Sequence, residues 1–211
     1  FNIPTGIFRG FENIGNDYGM IMAILGGNDA GGGVIWAPQV IEDAQDHGLL
    51  LGENSKLYDT KQGESLPEGV APMPLLTDEQ LKNYPEPTTG DVVPHFVARY
   101  WDMMALADRE PARVIGEDAM LRDRPGFEID FITRGCAANA KPASDDRNDV
   151  LMPMRGHWRV SWNGSSDVLN PGDTCLVTPG IDYSLEPSVT GEAGLFRIRN
   201  TDDPAGSTKA H

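Results

Sequence analysis

The sequence is poor in cysteine, histidine, basic charge and long apolar runs, and each shortage closes off a class of function. Two cysteines among 211 residues, Cys136 and Cys175, form neither a metal-binding spacing nor a disulfide framework. Four histidines, His47, His95, His157 and His211, lie far apart along the chain. No run of about 18 apolar residues occurs, so no membrane-spanning helix is expected, and no signal peptide is expected either. Seventeen basic residues stand against 32 acidic ones, for a net charge of -15 spread along the chain. That balance argues against a nucleic-acid backbone or an anionic membrane as partner. The expectation is an acidic cytoplasmic protein.

What the sequence does hold is turn chemistry and short apolar alternation. Glycine is used 24 times and proline 16 times, and 39% hydrophobic residues are enough for a core. Trp158, Val160 and Trp162 alternate with Arg159 and Ser161, the period-two pattern of a half-buried strand. Asn163-Gly164 follows, the dipeptide of a tight hairpin whose two central residues need positive φ. Pro171-Gly172-Asp173 supplies a second turn before the apolar run Thr174 to Val177. Strands this short and this regularly spaced predict an antiparallel barrel or jelly roll.

Along the chain, Phe1 to Gly6 reads as strand into turn, and Tyr18 to Leu25 as a buried strand. Gly26 to Gly33, around Asn28-Asp29, has the glycine content of a phosphate cradle but lacks the Lys-Ser/Thr of a P-loop and the helix that should follow. A helix is predicted over Pro38 to His47, ended by Gly48, then a hairpin around Gly52-Glu53-Asn54. Thr77 to Gln80 has the form of a capping box opening a short helix. A linker over Tyr84 to Pro94 sets a boundary near residue 90. Phe96 to Ala107 stays open between strand and helix. Phe127 to Thr133 alternates as a strand, Ala137 to Asn148 is a polar loop, and Val150 to Met154 is a buried strand whose Pro153 favours an edge or a bulge. Leu195 to Arg199 closes the barrel, and 201–211 is a polar tail.

Gly156-x-Trp158-x-Val160, Asn163-Gly164, Pro171-Gly172-Asp173-Thr174 and Pro179-Gly180 resemble the core of a cupin barrel. In that family's second motif Gly172 and Gly180 fit, while Thr178 stands at the proline, Tyr183 at the histidine and Pro187 at the asparagine. A second copy starts the chain, where Pro4, Gly6 and Asn13 fit and Arg9 stands at the histidine. Two copies make the chain similar to a bicupin. With Phe8 to Gly15, Leu25 to Asp29 and Ile35 to Val40, it is most similar to ring-cleaving dioxygenases of the hydroquinone 1,2-dioxygenase large-subunit and gentisate types.

The resemblance implies an all-β, bicupin-like fold of double-stranded β-helix (jelly-roll) barrels with a few short helices. Residues 1–90 would be the C-terminal half of a first barrel plus linker, 91–200 a second, degenerate barrel, and 201–211 the tail. A missing N-terminal segment or a partner chain would complete the first barrel, and a homodimer is expected. The family's iron site takes two histidines and a carboxylate from its first motif and a third histidine from its second, leaving positions open for oxygen and substrate. Counting back from Gly156 puts Asp149 at the carboxylate, Pro142 and Ser144 (or Ala143 and Asp145) at the first two histidines and Tyr183 at the third. No metal site is therefore expected in residues 1–211, and Fe(II) would belong to the missing N-terminal half or a partner chain.

The candidate substrate-binding residues are Arg9, Asp149 and Tyr183. Arg9 cannot ligate a metal, but it could pair a substrate carboxylate or phenolate, or form an ordinary ion pair. Asp149 and Tyr183 mark either a pocket that binds a ligand without metal or a filled core; they are also the only acid/base pair for a cofactor-free isomerase or lyase. His47 and His211 read as surface residues, His95 as part of the linker, and His157 as outward-facing. The function implied is a cupin-type non-haem Fe(II) dioxygenase, subunit or fragment, acting on an aromatic or small organic acid, with the second barrel structural. The alternative is a metal-free cupin serving as a small-molecule-binding or assembly subunit.

Overall fold

A computed structural model describes residues 1–3, 6–25, 35–84, 86–122, 126–142, 146–188 and 190–201. The expected loop around Asn28-Asp29, the positions Ala143, Ser144 and Asp145, and the tail beyond Thr201 with His211 lie outside them. Two compact units form. The larger takes in residues 1–3, 21–25 and the chain from Pro87 onward, and the smaller takes in 6–20 and the described residues from 35 to 86.

In the smaller unit, Pro38 at the first turn and Gly48 at φ 82 bracket helix α1 (Pro38–Asp46). Strands β1 (Leu49–Leu51) and β2 (Leu57–Asp59) pair antiparallel, as the turn residues predict. Thr77 and Gln80 form the capping box and open α2 (Asp78–Leu81), which is one turn long. Within 1–90 these two strands are the only ones among the described residues. Phe1 to Ile3 is not a strand. Nor is 18–25, where Tyr18 is 88% and Leu25 80% exposed. Apolar content alone does not make a strand; a ladder partner is required, and none is present for 18–25 among the described residues.

The larger unit begins with α3 (Thr89–Phe96), which runs through the expected linker and carries His95, exposed, on its last turn. Asp91 holds its start by accepting from the Thr88 amide and hydroxyl. Helix α4 (Tyr100–Leu106) settles the open stretch, with Met103 as its buried residue. The strands follow: β3 (Ala112–Gly116), β4 (Leu121–Arg122), β5 (Phe127–Thr133), β6 (Asp149–Arg155), β7 (Trp158–Trp162), β8 (Ser165–Leu169), β9 (Cys175–Val177), β10 (Tyr183–Pro187) and β11 (Gly194–Asn200). One sheet has the order β4-β3-β5-β11-β6-β9 and the other β10-β7-β8. From β5 on, the chain crosses between these sheets as a jelly roll does, with β7 and β8 a hairpin within the small one and one strand absent among the described residues. Its place, between β5 and β6 and beside β10, holds a short 3₁₀ turn, Ala137–Asn139.

The sheet of β5, β6 and β11 is buried on both faces. On the inner face Ile132, Leu151, Pro153 and Leu195 meet the small sheet's Trp158, Val160 and Leu185, all 4% exposed or less. On the outer face Phe131 packs edge-on against Tyr100 and lies 5.2 Å from Phe196. Thr133 ties this layer to α4 by donating to the Ala107 carbonyl at 2.5 Å. Pro153 is not on an edge, since β6 lies between β11 and β9. It sits beside the register shift at Gly194/Leu195, beyond the last residue that β9 pairs, so its missing N–H costs no ladder bond. Asn163 (φ 44) and Gly164 (φ 78) form the two-residue β7–β8 turn as the sequence predicts.

Candidate functional site

The register of the large sheet builds the site. Asp130 on β5 stands opposite Arg197 on β11 and Arg113 on β3. Arg199, two residues further along β11, stands opposite Glu128 and Asp149. Period two puts all six on the inner face at one end of the barrel, with the fully apolar layer at the other. Their charges alternate in sign and pair. Arg113 bonds Asp130 at 2.5 Å and Glu128 at 2.9 Å, Arg197 bonds Asp130 at 2.9 Å, and Arg199 bonds Asp149 at 2.7 Å. Arg197 also donates to the Lys141 carbonyl, just after the 3₁₀ turn. Three carboxylates and three guanidiniums make one network, buried at Asp130, Asp149 and Arg197 and partly exposed at Arg113 and Glu128.

Tyr183 completes it from the facing sheet, its hydroxyl donating to Asp149 Oδ2 at 2.6 Å. Asp149, 2% exposed, therefore has one oxygen held by Tyr183 and the other by Arg199. Burial pushes the Tyr183 phenol well above the ordinary tyrosine range, and the bonded, negatively charged Asp149 adds to it. Burial opposes the charge of Arg197, but Tyr183 and Asp130 outweigh it and hold the guanidinium above its ordinary value. Among the described residues Arg197 Nε is buried without a hydrogen-bond partner, as is Nε of Arg147.

The structure thus brings two of the three sequence-predicted site residues into direct contact. Pro142, a histidine position in the resemblance, lines the same small cavity as Asp149 and Tyr183, together with Arg147 and Thr178. Its volume is about 20 Å³, room for about one water molecule. Arg9 lies in the smaller unit, exposed, and donates to the Ile7 carbonyl at 3.2 Å. His157 is exposed and bonded to Asn170, and His47 caps α1 beside the Asp43 carbonyl.

An iron ion does not fit the residues at this place. Non-haem iron takes imidazoles and a carboxylate with open positions; here a proline, a tyrosine and a carboxylate with both oxygens engaged converge. Among the described residues no group of three or more His, Cys, Asp or Glu side chains could hold a metal. No helix among them is long and apolar enough to cross a membrane.

The sequence reading missed Asp130, Arg197, Arg113 and Arg199. A signal was present: Glu128-x-Asp130 and Arg197-x-Arg199 carry opposite charges at the same spacing on two segments that each read as strands.

No protein-family profile matches this chain, and no curated protein matches it. Among solved structures it is similar to a cupin 2 conserved barrel domain protein from Salinispora arenicola, at 12% identity over 51% of this chain and 90% of that one, with a TM-score of 0.40. It is also similar to a cupin-2 domain containing protein from Shewanella frigidimarina, at 12% identity over 50% of this chain and 95% of that one, with a TM-score of 0.38. Strand order alone makes the larger unit a jelly roll, the barrel type to which cupins belong.

Proposed function

We propose that this chain is part of a cupin-type oxidoreductase in which the 91–200 barrel is structural and works without metal. The observation that carries this reading is the closed state of Asp149, whose two oxygens are taken by Tyr183 and Arg199 in a cavity of about 20 Å³. That arrangement leaves no room for an aromatic substrate and no free carboxylate to ligate an ion or move a proton. The non-haem Fe(II) dioxygenase chemistry implied by the sequence resemblance, on an aromatic or small organic acid, then belongs to a histidine-bearing barrel supplied by other polypeptide, and the assembly is a homodimer of such units.

The test is oxygen uptake by the assembled protein with hydroquinone or gentisate, comparing native Tyr183 with Tyr183→Phe. Equal turnover per folded molecule is expected. Lost turnover with the fold intact would place the chemistry in this barrel and overturn the reading.

A further inference from the structure

The repeat that begins at Gly6 runs further than its turn. Gly6 matches Gly180, Ile7 matches Ile181, Glu12 matches Glu186 and Ile24 matches Ile198, with no insertion or deletion between them. The two glycines also share a left-handed backbone, at φ 94 and φ 79. Carried to its end, the repeat lays Ile21 to Leu25 on Leu195 to Arg199 of β11, the strand held between β5 and β6.

In β11, Leu195, Arg197 and Arg199 face the inside of the barrel and Phe196 and Ile198 the outside. The repeat therefore puts Ile21, Ala23 and Leu25 on an inner face and Met22 and Ile24 on an outer one. Exposure follows the same division. Ile24 is half-buried against the core of the larger unit, the core that also holds Ile198. Met22 is less exposed than Ile21 or Leu25, and Ala23 is exposed as well. Both faces of the segment are apolar, the composition of a strand covered on both sides, yet no strand among the described residues pairs with it. The inner faces differ in one respect. Arg197 and Arg199 hold Asp130 and Asp149 and leave a cavity of about 20 Å³ beside Asp149 and Tyr183. Ala23 and Leu25 stand at the places of those two arginines. They bring no cation to lock a carboxylate and less bulk, so a barrel built around this strand keeps that end open and apolar, as a site for an aromatic ring requires.

We propose that Ile21 to Leu25 is the β11-type strand of the histidine-bearing barrel, and that Ile21, Ala23 and Leu25 form the wall on which the ring of the aromatic substrate packs. Ala23 sets the room for the ring, because any longer side chain there enters the space that Arg197 fills in the 91–200 barrel. This inference rests on the reading of the chain as part of a two-barrel oxidoreductase and adds to it the residues that select the substrate.

Hydroquinone titrated anaerobically into the assembled protein, followed by calorimetry, reads binding without turnover; oxygen uptake is measured separately. The native protein is expected to bind saturably, and Ala23→Leu to weaken binding about tenfold or more. Met22→Leu, on the opposite face of the same strand, should bind as the native protein does. Leu25→Asn, close to isosteric, is the second variant should Ala23→Leu fail to fold, and is expected to weaken binding about fivefold. No binding by the native protein, native-strength binding by Ala23→Leu or Leu25→Asn with the fold intact, or an equal loss in Met22→Leu would overturn the proposal. The expected binding pattern without oxygen uptake would sink the dioxygenase reading while supporting the role of this strand.

Discussion

Tyr183 and Asp149 meet across the barrel, 34 residues apart in sequence, with the phenol hydroxyl 2.6 Å from a carboxylate oxygen. Each comes from a different sheet, so the bond staples the two sheets together at the end where the inner face turns from apolar to charged. Arg199 holds the other oxygen, and the carboxylate is left with no unoccupied side.

Removing the phenol hydroxyl therefore leaves a buried carboxylate short of one donor. Tyr183→Phe is expected to destabilise the barrel by about 1.5–3 kcal/mol, the range for hydrogen bonds to charged groups. Urea denaturation followed by near-ultraviolet circular dichroism reads this; a change within about 0.5 kcal/mol, as at an ordinary surface site, would contradict it.

The same bond sets a pH dependence at the alkaline end. Burial and Asp149 raise the folded-state pKa of Tyr183 above its unfolded value. The phenol is thus favoured in its protonated form in the folded chain, and its contribution is fully present below the ordinary tyrosine pKa of about 10. Above that, the unfolded chain loses the proton first, and stability falls as pH rises toward the folded value. Urea midpoints measured from pH 8 upward should decline more steeply for the native chain than for Tyr183→Phe; parallel curves would contradict the shift.

Asp130 is the hub of the other row, bound to Arg113 and Arg197. Asp130→Ala leaves the nearly buried Arg197 without its carboxylate and is expected to cost about 3–5 kcal/mol. Replacing Asp130 and Arg197 together with apolar residues should recover much of that loss, because the cost lies in the uncompensated charge. A double-mutant cycle checks both statements, and strict additivity would contradict the pairing.

Backbone geometry gives a prediction independent of charge. A Cβ on Gly194 would stand 2.6 Å from the tip of the Phe131 ring, in the layer behind the large sheet. Gly194→Ala is expected to lower stability by about 1–3 kcal/mol through overpacking, and Phe131→Leu in the same chain should relieve part of it. Thermal unfolding of the single and double variants measures this.

Where an element's cause was local, the sequence showed it. Thr77 and Gln80 specify their own capping box, Asn163-Gly164 specifies its hairpin, and Pro38 and Gly48 bracket α1. Motif spacing also placed Asp149 and Tyr183 at convergent positions, and they do converge. What failed were statements that needed a partner the sequence does not name. The run from Tyr18 to Leu25 is apolar enough for a buried strand, yet a strand is a relation between two segments. The alternation of Phe127 to Thr133 marks two faces without saying whether the one that carries Glu128 and Asp130 is wet. Only the register with Arg113 and Arg197 shows that Asp130 is buried and paired, while Glu128 is partly exposed and paired with Arg113.

The central claim is that the 91–200 barrel closes its would-be metal position with Tyr183 and Arg199. Iron content of the purified 211-residue chain, after incubation with Fe(II) under anaerobic conditions and desalting, tests it most directly. The account predicts iron far below one atom per chain, unchanged in Asp149→Asn. One tightly held iron per chain, lost in Asp149→Asn, would contradict it.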